Sequence, residues 1–296
     1  MVERVEAVMR AGPGRVRVGF YQDAWRRLRR NRWALVGLLI VAAFALSAIF
    51  APYAAPHDPI EQDLDAQLLP PSREHLLGTD DLGRDLLSRI IYGGRVSLSV
   101  GIVSVGLALG AGTLLGLFAG YYGRWAESVT MRVMDVMLAF PATLLAIFIV
   151  GIRGPGLNNA MLAIGVINIP IFARIVRGSV LRVRQEEFVE AARALGGSAG
   201  RIVGRHILPN TLAPVTVQAT LGVGAAILEA AGLSFLGLGA QAPTPEWGAM
   251  LTNTREFLRD APWAATFPGI AILLTVVGFN LLGDGLRDAL DPRLRL

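Results

Sequence analysis

Charged residues are missing from long stretches of this chain. None occurs in 33–57, 96–123, 136–152, 154–173, 206–228 or 261–283. A bilayer's hydrocarbon core takes a helix of about 20 mostly apolar residues rising 1.5 Å each, and each stretch is of that order. The pattern predicts six spanning helices, at about 33–51, 97–122, 134–152, 158–178, 211–236 and 265–283. Backbone groups inside lipid must be paired within the segment, which a helix does by itself. The expected fold is therefore all-α and integral to the membrane.

The polar segments between the spans set the orientation. With the N-terminus inside, 21 arginines fall on the cytoplasmic side and seven on the other, which satisfies the positive-inside bias. Both termini are thus expected in the cytoplasm of a multi-pass inner (plasma) membrane protein. Residues 1–32 form a cytoplasmic segment and 33–51 the first span, read as an uncleaved signal anchor because the arginine-rich lead is too long for a signal peptide. Trp25 and Trp33 flank Arg26, Arg27, Arg29, Arg30 and Arg32, so residues 20–32 are expected as a helix lying on the inner surface. An external loop spans 52–95, a five-helix core 96–285 and a cytoplasmic tail 286–296.

Composition changes the picture by exclusion. Only 17% of the 296 residues are charged, against 53% hydrophobic, too little charge for a soluble domain. There is no cysteine, which removes disulfides, thiolate metal sites and cysteine nucleophiles. All 28 basic residues are arginine. A phosphate-cradling P-loop needs a lysine, so no nucleotide is expected to bind by that device. The net charge of +5 is read as topology, and no nucleic-acid partner is expected.

In the external loop, Thr79 to Gly93 reads as a helix capped by Thr79 or Asp80, with Leu82, Leu86 and Ile90 on one face. Asp80, Asp81 and Asp85 lack the calcium-loop spacing, so no metal is assigned. Gly106–Gly110, Gly112–Gly116 and Gly116–Gly120 are G-x-x-x-G pairs that would let span two pack closely in a bundle or dimer seam.

The connection Arg182–Pro209 is cytoplasmic in this topology and too polar to cross. Phe188, Ala191, Ala192 and Leu195 form an i, i+3, i+4, i+7 stripe on a helix ended by Gly196-Gly197. Ser198 stands where it can cap a second helix, with Ile202, Val203, His206 and Ile207 on one face, and Pro209 closes it. The text Glu190-Ala191-Ala192-x3-Gly196, nine residues, then His206-Ile-Leu-Pro209 resembles the EAA loop of binding-protein-dependent ABC importer permeases. It departs in having His206 where the general pattern has isoleucine. The resemblance extends to His75–Asp85, Gly93–Leu98, Met134-Asp135…Phe140-Pro141, Gly232–Gly239 and Gly283–Pro292. All look like the second permease subunit of the dipeptide/oligopeptide/nickel branch, with a type I importer fold.

That resemblance implies a non-catalytic subunit forming a translocation path with a second homologous permease. Two ATPase subunits would bind ATP and Mg inside, and a substrate-binding protein would dock outside. Peptides are the expected cargo, with nickel or another small solute as the alternative within the branch. Glu187, Glu190, Ala191, Ala192, Leu195, Gly196, His206 and Pro209 are the expected ATPase-coupling residues in the loop at 182–209. No cofactor and no catalytic residue is expected in this chain.

Other residues carry alternatives. Glu229, deep in span five, either lines the path or pairs with an arginine or backbone group between helices. Asp135 is expected to pair with Arg132, one turn earlier. Pro141 and Pro170 are expected to kink spans three and four. The run containing Gly232 and Gly237 is a gate or a close-packed helix end. A stand-alone secondary transporter with a proton site at Glu229 or Asp135 is the remote alternative, but no internal repeat supports it. A Ser234–His206 protease dyad fails because the two lie on opposite sides of the membrane.

Overall fold

A computed structural model describes residues 19–290, with side chains from Trp25 onward. The described residues are helical throughout, apart from loops and one isolated bridge between Thr79 and Asp85. The helices are α1 (Gly19–Arg30), α2 (Arg32–Ile49), α3 (Ala51–Ala54), α4 (Leu86–Tyr122), α5 (Arg124–Ala139), α6 (Ala142–Arg153), α7 (Leu157–Val183), α8 (Glu187–Ala194), α9 (Ala199–Ile202), α10 (Leu208–Phe235), α11 (Trp247–Thr254) and α12 (Pro262–Leu290). Residues 1–18 and 291–296, within the expected N-terminal segment and tail, lie outside the described residues.

Five of the six expected spans are single helices long and apolar enough to cross a membrane. The third is not straight. Helices α5 and α6 meet at 92° across Phe140-Pro141. Proline removes a backbone donor and forces the preceding residue into extended backbone. Phe140 adopts it, at φ −85°, ψ 138°. Pro170, by contrast, sits inside the unbroken α7.

Glycine positions set the packing. Along α4, a β-carbon at Gly116 would lie 2.6 Å from the Ala173 carbonyl oxygen, and one at Gly120 would lie 2.7 Å from Val180 Cβ of α7. Gly112 meets Phe172 in the same way. This seam holds Val100, Ala108, Ile164, Phe172 and Val176 in the main core. Helix α10 crosses it at Gly101, and α12 carries α2 on its far side through Gly37 and Gly278. Gly106 and Gly110 have nothing within 4 Å, so only part of the expected glycine face is used inside the chain.

Hydrogen bonds between helix ends and connections fix the two ends of the bundle. The start of α4 joins the α10–α12 connection through Trp247 Nε1 donating to Ile90 O at 2.9 Å and Ser97 Oγ donating to Glu246 Oε1 at 3.2 Å. Gly156 N donates to Leu238 O, which puts the α6–α7 turn at that end. At the opposite end, Arg184 Nη1 donates to the Gly120 and Tyr121 carbonyls. The expected alternation of connections between the two ends is thus present, with the first loop's end at one side and the Tyr122 and Arg184 ends at the other.

The expected helix over Thr79–Gly93 is not formed as such. Asp80 accepts from Arg84 N and Arg84 Nε and ties 79–85 into a turn, with Gly83 at φ +73°. The cap is Asp85, whose Oδ2 accepts from Ser88 N at 2.8 Å. From Leu86 the helix runs 37 residues without interruption into span two. Local side-chain bonding by Asp80 outcompeted the helical pattern up to Arg84.

Candidate functional site

Helix α8 and the turn after it stand clear of the bundle. Only Val189 on α8 is fully buried, packing with Ile202 and Ile207 in the main core, with Ala192 partly buried beside them. Phe188, Ala191 and Leu195 are exposed, Leu195 to 89%. The expected apolar stripe is thus split. Ala192 turns inward with Val189, a residue the stripe omitted, while the rest points to solvent. Glu187 and Glu190 are exposed along the same helix, and both lie in its first turn, where carboxylates favour the helix dipole.

The helix stops through a paired-glycine turn. Gly196 N donates to Arg193 O and Gly197 N donates to Ala192 O, both at 3.0 Å, with Gly196 at φ +77°. That is a Schellman end, which requires a left-handed residue at Gly196. A β-carbon on Gly197 would sit 2.7 Å from the Ala192 oxygen, so the second glycine is also needed. Ser198 occupies the next N-cap position, without a side-chain bond to the backbone.

Pro209 does not close the second helix, contrary to expectation. A π-helical turn over Val203–Ile207 carries α9 directly into α10, giving one helix from Ala199 to Phe235. The wider turn moves the bonding pattern where Pro209 has no N–H to give, and proline then sits in the first turn of α10. The segment from Ala199 onward is therefore continuous with span five, and α8 is set off from it by the Gly196-Gly197 turn. His206 is partly buried in that π turn, 6.4 Å from the Phe188 ring.

Within the bundle, Glu229 Oε2 accepts from Asn168 Nδ2 at 2.9 Å across the α7–α10 seam. The partner is an amide, neither arginine nor backbone. Asn168 is the one polar side chain between Ala160 and Ala173, the signal by which it could have been found. Asp135 does not pair with Arg132; Arg174 of α7 donates to it at 2.6 Å. Arg177 binds Glu127 likewise, so two arginines on α7 hold α5. The tertiary partner wins because α5 lies along α7, which a count along one helix cannot show. Gly237 is at φ +77°, and Gly237 N and Leu238 N donate to Ser234 O and Leu233 O. This is a second Schellman end, beside an exposed Gly232.

Residues 112–296 match the family described as the binding-protein-dependent transport system inner membrane component. The chain belongs to this family. Residues 19–71 match the N-terminal TM domain of oligopeptide transport permease C. Relatives of this permease include a dipeptide transport system permease protein of Alkalihalophilus pseudofirmus, 56% identical over 93% of this chain and 90% of its own. A di/tripeptide permease of Pseudomonas aeruginosa is 48% identical, over 93% and 92%. A glutathione permease of Pectobacterium atrosepticum is also 48% identical, over 93% and 92%. The fold is similar to the inward-facing MetNI methionine ABC transporter, with TM-score 0.56 and 18% identity over 70% of this chain and 98% of that one. The permease is thus a multi-pass inner-membrane subunit of an ABC importer, with the type I fold.

Proposed function

We propose that this permease forms, with a second homologous permease, the path of a peptide importer driven by two separate ATPase subunits. The observation that carries it is the exposed face of Phe188, Glu190 and Leu195 on α8 and its C-terminal end, which Val189 anchors against Ile202 and Ile207 at the root of the span-five helix. A helix that packs one side into its own core and offers apolar residues on the other is shaped for a groove. The relatives named for dipeptide and di/tripeptide transport support peptides as the cargo.

ATP and Mg are held by the ATPase subunits, and a substrate-binding protein docks at the end of the bundle that carries the first loop. ATPase closure displaces α8. Because α9 and α10 are one helix, the displacement passes into the bundle as a rigid movement, and ATP biases one of two packings. The Phe140-Pro141 bend lets α6 change angle against α5 without breaking either helix. Glu229 works here as an interhelical pair with Asn168.

A pull-down of the tagged chain in mild detergent, with mass spectrometry, should recover a second permease and P-loop ATPases. Glu190→Arg and Gly196→Asp should leave the chain in the membrane but lose the ATPases and peptide uptake. Normal uptake by both variants would overturn the coupling assignment.

A further inference from the structure

Three side chains distant in sequence converge where the first loop meets α4. His57 follows α3, His75 lies in the loop, and Asp85 caps α4. Asp85 is fully buried, at 1% side-chain exposure. Its Oδ2 is used by Ser88 N and Ser88 Oγ. Its Oδ1 faces His75 Nδ1 at 3.0 Å and His57 Nδ1 at 3.7 Å. Ligand atoms from all three lie within 4.8 Å of one another, and the two rings are 4.9 Å apart between centroids.

The neighbouring charges are balanced differently. Asp80 takes Arg84 at 2.7 Å and Arg89 at 3.3 Å, and Arg84 also faces Asp81. No guanidinium in the described structure pairs with Asp85; two imidazoles face it. Only His75 is within hydrogen-bond reach, and a neutral ring offers one donor. The second nitrogen, at 3.7 Å, makes no hydrogen bond. A buried carboxylate needs a compensating positive charge. Two imidazole nitrogens and a carboxylate oxygen are the ligand types of a tetrahedral Zn²⁺ centre, at about 2.0–2.2 Å from the ion. Such bonds place neighbouring ligand atoms about 3.3–3.5 Å apart, between the two separations seen at Oδ1.

We propose that His57, His75 and Asp85 bind a divalent transition cation, best matched by Zn²⁺, at the end of the bundle opposite the EAA loop. The fourth position opens toward solvent beside His57, the most exposed of the three at 38%. The bound ion staples the chain after α3 and the tip of the first loop to the start of span two. His57 N already donates to Ser88 Oγ at 3.0 Å, so the backbone is held in place before the metal arrives. Mg²⁺ and Ca²⁺, which take six or more oxygens, do not suit this donor set.

The intact transport complex, purified on a tag without histidine and stripped with chelator, is dialysed against ZnCl₂ and its metal measured by elemental mass spectrometry. One more zinc per copy of this chain is expected in wild type than in His57→Gln, His75→Gln or Asp85→Asn. The chain's remaining histidine, His206, lies at the other end, and His206→Gln should keep that equivalent. Millimolar Mg²⁺ or Ca²⁺ should not displace it. Should His75→Gln or Asp85→Asn fail to assemble, His57→Gln carries the test, since His57 makes no hydrogen bond to Asp85. Equal zinc in wild type and His57→Gln would overturn the site.

Discussion

Glu229 meets the Asn168 amide at 2.9 Å, and that bond sets what a substitution costs. Glutamine at 229 keeps an acceptor for the amide and removes the charge, so Glu229→Gln should assemble and resist heat like wild type and retain uptake. Asn168→Leu strips the half-buried carboxylate of its donor, a loss of about 1–2 kcal/mol. It should lower the unfolding temperature, and Glu229→Gln in the same chain should give part of that back, a coupling that a double-mutant cycle reads directly. A path-lining Glu229 would instead show normal assembly and lost uptake in Glu229→Gln. Asp81 is a second informative carboxylate, outside the spans. Burial first, and the Asp80 charge next, push it above the ordinary carboxylate value, with Arg84 opposing. The folded state therefore favours its proton. The stability this proton brings is present below the unfolded value of 3.8 and is lost as pH rises through the elevated folded value. Asp81→Asn, neutral throughout, should unfold at a higher temperature than wild type near neutral pH. The gain should shrink as acid protonates Asp81, and thermal scans across pH measure it.

Among the elements, the α4–α7 seam depends on backbone approach that only glycine allows. Gly116→Leu forces its side chain against Ala173 O and Val176 Cβ, both within 2.7 Å of a β-carbon there, and should abolish a folded, extractable chain. Gly106→Ala should be silent for folding of the single chain, since nothing lies within 4 Å; size-exclusion profiles of the two variants make the comparison. The sequence showed this face, because glycines four apart in an apolar helix have few other uses, but not which of them met α7. It also showed the charge-free spans, where hydropathy and element coincide, and the left-handed Gly196, where the local backbone decides. Elements decided by tertiary partners were hidden. Asp80 chose Arg84 and Arg89 over a helix cap, Asp135 chose Arg174 over Arg132, and the π turn carried a helix through Pro209. Each needed a neighbour that arrives only when the chain has folded.

Across the whole molecule, residues that serve the chain's own fold separate from those left for partners. Leu39, Leu114, Phe148 and Leu273 are exposed along the spans, as suits residues facing lipid or the second permease of the proposed assembly. Leu195 is exposed at the end of α8, on the side shared by Phe188 and Ala191, the face assigned under the proposed function to an ATPase subunit. Val189, six positions earlier, faces the bundle with no exposure at all. The same chemical change at these two sites should therefore fail at different stages. Val189→Asp buries a carboxylate among Ile202 and Ile207, which costs several kcal/mol unless the group takes a proton, and should reduce the amount of chain extracted in folded form. Leu195→Asp disturbs nothing in the chain itself. It should be extracted at wild-type level, with an unchanged unfolding temperature for the isolated chain, yet recover fewer ATPase subunits and import less peptide. Quantitative recovery of ATPases with Leu195→Asp would show that the exposed face is not where they seat. The span-five helix that begins at Ala199 would then have to receive its movement from elsewhere. If the loss appears only in assembly, the lever runs from Leu195 through Val189, which packs on Ile202 and Ile207, to the Ala199–Phe235 helix.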